Sequence, residues 1–280
     1  MTMTFLQIVW EPASDGIRLF GNFKIHYYSL MWMAAFIVGF YIMKKIYYNE
    51  KQDESKLDSL FMYSVLGIMI GARLGHVIFY QPELITDDFF SIFLPFKFKG
   101  GFEFTGFQGL ASHGAAIAMI ISMYLYNKKV LKKTVLWILD RVVIPVALGA
   151  VFVRIGNFIN SEIIGKETGS DFGVVFAQLG ETVARHPAQL YEAGCYIFVF
   201  LILLFTYWKT KKSDQQGFLF GLFLVLLWSV RFVVEYYKEP QSGEYLSNAI
   251  GNVLNNGQIL SIPFIVIGLY FMFIYKPKTN

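Results

Sequence analysis

Four arginines stand within or at the ends of long apolar runs of this sequence, Arg73, Arg141, Arg154 and Arg231, in company with His76, His113, Asp140, Glu192 and Glu235. An arginine at bilayer depth costs about 2.5 to 3.5 kcal/mol even on the mild insertion scales, so each needs a partner or a purpose. A guanidinium offers a planar fork of N–H donors that fits phosphate or carboxylate oxygens. The chemistry available is therefore recognition of an anion where water is scarce. The densest group is Arg154-Ile155-Gly156-Asn157-Phe158-Ile159-Asn160, followed by Glu162 and Gly165. One arginine, two amides and two glycines at the mouth of an apolar run can present a fork, amide donors and bare backbone N–H groups to one anion. At that depth a lipid phosphate is the obvious one. Arg231-Phe232-Val233-Val234-Glu235-Tyr236-Tyr237-Lys238-Glu239-Pro240 closes another run, and two arginines from separate runs could grip the same phosphate. A third group, Arg185-His186-Pro187-Ala188-Gln189-Leu190-Tyr191-Glu192, opens a run, where Pro187 suits a helix start.

Plainer roles compete with these. Arg231 and Glu235 stand four apart and could form an ion pair within one helix. Asp140 and Arg141 read as structural or as reaching toward the cytoplasmic face. His76 and the lone Cys195 read as packing residues. His113, between Ser112 and Gly114, leans toward function because the glycine permits close backbone approach.

The elements that must position these residues follow from composition. The chain has 280 residues, 55% hydrophobic and only 16% charged, whereas a soluble domain carries about 25% charged residues. A disordered chain is excluded, and one cysteine supports neither a disulfide framework nor a cysteine-based zinc site. No metal is expected. The net charge of +4 is small and its lysines fall in short clusters between apolar runs, which is a topology signal rather than a nucleic-acid footprint. About 20 apolar residues cross a hydrocarbon core of about 30 Å, and seven stretches qualify, near 26–46, 59–80, 108–127, 134–153, 190–208, 216–235 and 257–275. The fold class expected is an all-α polytopic membrane protein of seven transmembrane helices, one integral membrane domain over residues 1–280.

Lysines in the connections set the direction: Lys44, Lys45, Lys51 and Lys56 after the first span, Lys128, Lys129, Lys132 and Lys133 after the third, Lys209, Lys211 and Lys212 after the fifth, and Lys276 and Lys278 in the tail. These mark the cytoplasmic side, which puts the N-terminus outside and the C-terminus inside. The loops 81–107, 155–189 and 236–256 are then extracytoplasmic. The first is rich in Phe and broken by Pro82, Pro95 and Gly100-Gly101, as suits a segment lying in the interface, and the second mixes Gly, Ser, Thr and charge, as suits a small head. Residues 1–25 lack the pattern of a cleaved signal peptide. In this orientation Arg73, Arg154 and Arg231 approach the outer ends of spans two, four and six, and Tyr28, His113 and Glu192 lie just below the outer beginnings of spans one, three and five. Six helices thus deliver polar groups to one level.

The sequence resembles the prolipoprotein diacylglyceryl transferases over almost its whole length. The resemblance rests on Ile25-His26-Tyr27-Tyr28-Ser29-Leu30, Gly71-Ala72-Arg73-Leu74-Gly75-His76, Gly109-Leu110-Ala111-Ser112-His113-Gly114, the groups from Arg154, from His186 and from Arg231, and Gly257-Gln258-Ile259-Leu260-Ser261-Ile262-Pro263, in the family's order. It implies an enzyme of the bacterial cytoplasmic membrane that works on the outer side. It implies transfer of the diacylglyceryl group of phosphatidylglycerol to the lipobox cysteine thiol of a preprolipoprotein, with glycerol 1-phosphate released and no cofactor. By the same resemblance Arg154 and Arg231 match the essential arginines, His113 the motif histidine, Tyr28 the N-terminal motif tyrosine, and Asn157 and Gly165 the polar cluster after the fourth span. His26 stands where Arg is common, Ser29 where Gly is common and Ala115 where a second Gly often follows. Arg154 and Arg231 are expected to stabilise the departing phosphate with Asn157 as auxiliary donor, His113 to be the base that takes the thiol proton, and Glu235 to orient Arg231. The alternatives are a membrane lipid transporter or flippase, and a lipid-binding scaffold without chemistry. No nucleic acid is expected as a partner.

Overall fold

The computed structural model describes residues 7–20, 23–94, 96–98, 101, 103–104, 109, 111–240 and 253–276. In chain order the helices are α1 (Tyr27–Asn49), α2 (Glu54–Tyr80), the short α3 (Leu84–Asp87) and α4 (Phe90–Phe93), α5 (Ser112–Tyr126), α6 (Val135–Ile159), α7 (Ala188–Lys209), α8 (Phe218–Val234) and α9 (Asn256–Leu269). A 3-10 turn carries α8 to Tyr237, and a π turn carries α9 to Ile274. Among the described residues, six of these helices (α1, α2, α6, α7, α8 and α9, the last two with their turns) are long and apolar enough to cross a membrane.

The expected third span falls on α5, which has 15 residues and continues into a π turn over Asn127–Leu131. At about 1.5 Å per residue the α-helical part reaches about 22 Å, short of the roughly 30 Å hydrocarbon core. Residues 105–108 and 110, which the expected span would have included or approached, lie outside the described residues.

Two helix limits differ from the hydropathy reading for local reasons. Helix α2 begins at Glu54 rather than near 59, because the Asp53 carboxylate accepts the Ser55 N–H at 2.9 Å and caps it. That hydrogen bond holds the Asp53 carboxyl below the usual carboxylate range. Helix α6 runs to Ile159 instead of stopping near 153, and the chain turns only where Ser161 and Ile163 take left-handed backbone angles, φ 55° and 58°. Arg154 and Asn157 therefore ride on helix, not loop.

The chain divides into two compact units, residues 44–138 and the described parts of 1–43 and 139–280. In the 44–138 unit, α2 and α5 meet along a stripe of small residues. Gly67, Gly71 and Gly75 stand four apart on α2 and face Ser122, Ala118 and Gly114, four apart on α5. A Cβ on Gly75 would lie 2.7 Å from the Gly114 Cα, so the backbones approach as only glycine allows, the usual means of joining helices in lipid. The Tyr47 and Tyr126 hydroxyls are 2.7 Å apart, and Tyr126 donates to the Lys56 carbonyl at 3.0 Å. The Phe-rich stretch forms α3 and α4 with Phe89, Phe90 and Phe93 exposed, then a minimal hairpin of β4 (Phe96–Lys97) with β5 (Glu103–Phe104).

In the other unit α8 and α9 cross at Gly221 and Gly268, and the Trp228 and Phe264 rings stack at 4.1 Å. Asp140, fully buried on α6, accepts the N–H groups of Gly217 at 2.7 Å and Phe220 at 2.9 Å and so caps α8. Its structural reading holds, but Arg141 is buried too and does not reach out to solvent. Strands absent from the hydropathy reading tie the ends of the helices: β1 (Gln7–Trp10) pairs in parallel with β6 (Gly173–Phe176), and β2 (Gly16–Phe20) forms a hairpin with β3 (Phe23–His26) leading into α1. Trp10 and Phe176, neighbours across the strand pair, both pack on Phe158, with ring centroids at 4.6 and 5.8 Å. The C-terminal end of α6 is thereby clamped to the loop that follows it.

Candidate functional site

Arg154 and Asn157 are one helical turn apart on α6, which puts them on one face. The Arg154 Nη1 donates to Asn157 Oδ1 at 3.2 Å, and its Nε meets Glu192 Oε2 of α7 at 2.7 Å. Asn157 passes the interaction on, since its Nδ2 donates to Glu162 Oε2 at 2.9 Å, while Asn160 donates to the other oxygen at 3.1 Å. Gln189 of α7 donates to the Glu162 carbonyl at 2.6 Å. Both ends of the Asn157 amide are occupied, so it works first as the piece that sets Arg154.

Glu192 is fully buried and serves two cations. Its Oε1 receives Lys238 Nζ at 2.9 Å and the Tyr196 hydroxyl at 3.3 Å. Lys238, also buried, reaches Glu235 Oε2 at 3.1 Å. The expected pairing of Glu235 with Arg231 is not formed. The Glu235 N–H still closes the last turn on the Arg231 carbonyl, so it is the competing partner and not the spacing that decides. Residues Glu235–Tyr237 tighten into a 3-10 turn that brings Glu235 to Lys238 instead.

Arg231 is left otherwise engaged. Its guanidinium carbon sits 5.2 Å from the Trp228 ring centroid, and its Nε is buried with no hydrogen-bond partner among the described residues. Arg231 stands on α8, which leads to Lys238, and Lys238 shares Glu192 of α7 with Arg154. The start of α9 is fastened beside them: Asn255 and Gln258 form a reciprocal capping box, Asn255 Nδ2 donates to the Glu235 carbonyl at 3.0 Å, and Gly257 leaves room for the Glu235 carboxylate. Three cations, Arg154, Arg231 and Lys238, face two carboxylates, Glu192 and Glu235. Glu162, reached through Asn157, adds a third carboxylate.

The remaining expected residues divide by kind. The Tyr28 ring lies against Gly156, where a Cβ would come within 2.7 Å of it, two residues from Arg154 and so on a different face of α6. Gly165 is a backbone crossing: it forms a bridge with Lys238, its N–H donates to the His186 carbonyl at 3.0 Å, and a Cβ there would meet the Tyr237 carbonyl at 2.9 Å. Its role in this structure is to let Lys238 pass close. Arg185 is committed to Glu181 and Glu239 at 3.0 Å each and to the Gly165 carbonyl at 3.3 Å. Burial works against its charge, but those carboxylates outweigh it and hold the guanidinium more firmly protonated than usual. His186 bonds the Tyr191 hydroxyl at 3.1 Å and packs on Tyr237.

Within the 44–138 unit the backbone of His113 opens α5, and its side chain lies outside the described residues. His76 stacks on Tyr80 and fills the space beside Gly109, whose φ of 76° suits glycine. Arg73 gathers backbone carbonyls, Ser91 at 2.8 Å, Ile92 at 3.1 Å and Gly109 at 3.4 Å. It is a staple for the loop.

Lys238 and Gln189 stand in the sequence only as members of longer groups and Glu162 only as the residue after the Arg154 group, with no role assigned, and Tyr196 carries no signal there. Lys238 looks there like one more charge in an outward loop, next to Glu239 and Pro240. Its signal was the odd arithmetic of the group, in which a single lysine accompanies two carboxylates near two arginines.

The model of the family described as "Prolipoprotein diacylglyceryl transferase" matches residues 16–274. Curated relatives carry the name phosphatidylglycerol--prolipoprotein diacylglyceryl transferase. That of Bacteroides fragilis (strain YCH46) is 42% identical, covering 100% of this chain and 99% of the relative. Those of Tolumonas auensis and Helicobacter pylori (strain G27) are 39% and 34% identical, covering 95% and 89% of this chain and 96% and 88% of the relatives.

Proposed function

The chain belongs to the prolipoprotein diacylglyceryl transferase family, and from that premise we propose that it transfers the diacylglyceryl group of phosphatidylglycerol to the cysteine thiol of a prolipoprotein. The observation that carries the reading at this site is Arg231, whose buried Nε–H is unused, on the helix that leads to Lys238, which shares Glu192 with Arg154 of another helix. That is a receptor for a phosphodiester.

The chemistry is displacement at a saturated carbon. The cysteine sulfur forms a C–S bond to the glycerol carbon of the diacylglyceryl group as the C–O bond to phosphate breaks, and glycerol 1-phosphate departs with the electron pair. Negative charge grows on the departing phosphate, where fixed guanidinium donors in a dry cleft stabilise it most. Arg231 and Arg154 supply those donors, Arg154 held in place by Glu192 and Asn157. Tyr28 of α1 packs on Gly156 and steadies the end of α6 that carries Arg154, and Gly165 acts through the placement of Lys238. The thiol, with an ordinary pKa near 8.5, gives its proton to His113 or to solvent. In this reading α5 with its flanking residues is the seventh crossing, the N-terminus faces outward, and the phosphate site opens on the extracytoplasmic side of the cytoplasmic membrane. The level of the arginines and the lysine-rich connections support that orientation.

Purified protein in detergent with phosphatidylglycerol and a lipobox peptide tests the proposal. Thioether product is expected without any sealed vesicle, and Arg231→Ala abolishes it while the protein stays folded. Lipid movement across vesicles with no product would instead make the protein a transporter, and lipid retention with no product a scaffold. An unchanged rate and pH profile in His113→Gln would remove His113 as the base.

A further inference from the structure

Two carboxylates, the buried Glu192 and the half-buried Glu235, stand near the two arginines in the chain or in space, and carboxylates are the natural competitors of phosphate for a guanidinium fork. Glu235 is four residues from Arg231, and Glu192 already touches Arg154. Left to themselves, both would close two-pronged on the arginines and occupy the N–H groups that a phosphodiester needs. In this structure neither does. Glu192 Oε2 meets Arg154 at Nε, while Oε1 is held by Lys238 Nζ at 2.9 Å; the Arg154 Nη1 donates to Asn157. Glu235 turns Oε2 to the same Nζ at 3.1 Å, and Arg231 Nε stays unused.

We propose that Lys238 is a positioning residue that draws the free edges of both carboxylates onto one ammonium and so keeps Arg154 and Arg231 open to the lipid phosphate. Its backbone is fixed for the task by the bridge to Gly165, where a side chain would collide, and by the Glu239 N–H donating to the Ile164 carbonyl at 3.1 Å. A compact ammonium with three donors suits two carboxylates approaching from different helices. This inference rests on the proposed reading of the site as a phosphatidylglycerol site, and it predicts a defect in anion binding rather than in folding alone.

The test pairs equilibrium binding of a short-chain phosphatidylglycerol to the purified protein in micelles with the transfer assay and a thermal melt. Lys238→Met is expected to weaken phosphatidylglycerol binding at least tenfold, and Lys238→Arg to stay within threefold of the parent. Lys238→Met/Glu235→Gln is expected to regain at least half of the loss on a logarithmic scale, because the carboxylate free to seize Arg231 is gone. A purely structural role for Lys238 would let affinity follow the melting temperature and give no such recovery. If Lys238→Met does not fold, Lys238→Gln, which keeps hydrogen-bond donors in the same space without the charge, is expected to show the same loss. Unchanged affinity in the neutral variant, or a double variant no better than the single, overturns the proposal. Parent protein that binds the lipid but forms no thioether would overturn the transferase reading and leave the role of Lys238 standing on the binding data.

Discussion

Arg73 and Arg231 are both arginines on long apolar helices, and sequence alone treats them alike. Arg73, in the 44–138 unit, gives its donors to backbone carbonyls of Ser91, Ile92 and Gly109. Arg231, in the other unit, lies over Trp228 with a buried N–H that nothing among the described residues accepts. One arginine is consumed in holding a loop; the other is held ready. A desolvated donor left without a partner costs free energy, so a fold keeps one where a ligand repays it.

The sharpest way to break this comparison is the charge-retaining pair Arg231→Lys and Arg73→Lys. An ammonium keeps the charge but loses the fork, so Arg231→Lys should lower transfer about 10²-fold or more, the range seen when one oxyanion donor is removed. Arg73→Lys should stay within about threefold of the parent, by the principle that fixing a loop is not transition-state binding. Equal losses in initial-rate assays would dissolve the distinction.

Next in size is Glu192→Leu, which strands the half-buried Arg154 and the buried Lys238 charges. Removing one partner of a buried ion pair costs about 3 to 5 kcal/mol, and a denaturation midpoint close to that of the parent would show that the pairing is not formed. Smaller is Gly71→Val on α2, where the added side chain must push against Gly114 and Ala118. Overpacking of this kind costs about 1 to 3 kcal/mol, to be read as loss of thermal stability while the affinity for phosphatidylglycerol in the surviving folded fraction holds. The smallest expected effect is Asp140→Ala. Loss of a helix cap is worth about 1 to 2 kcal/mol, and the thermal shift should be accompanied by faster amide exchange at Gly217 and Phe220, its two donors.

Much of the helix plan was legible because hydropathy is a property of composition over about 20 residues, and lipid imposes it on each crossing separately. The stretches near 26–46, 190–208 and 257–275 fall on α1, α7 and α9 with shifts of a few residues. The four-residue spacing of Gly67, Gly71 and Gly75 is likewise a helix-packing stripe carried by the sequence itself. What hydropathy could not supply was where a polar helix end stops. Arg154 and Asn157 look like loop residues by composition, yet α6 continues beneath them because nothing breaks the backbone before Ser161. The short strands near Trp10 and Val174 were invisible for a related reason: they are brief and are held by partners far away in the chain.

The candidate site shows the same division. Residue types alone established that arginines were placed where water is scarce and that an anion was the matching partner, since guanidinium chemistry does not depend on the fold. Which carboxylate serves which cation was decided by tertiary structure. The Arg231 and Glu235 spacing permits an ion pair, and only the tightening of the chain after Val234, together with Lys238 arriving beside Gly165, sends Glu235 elsewhere. Local sequence fixes what a side chain can bond; which partner reaches it first depends on distances set by segments remote along the chain, here α6, α7 and the crossing at Gly165.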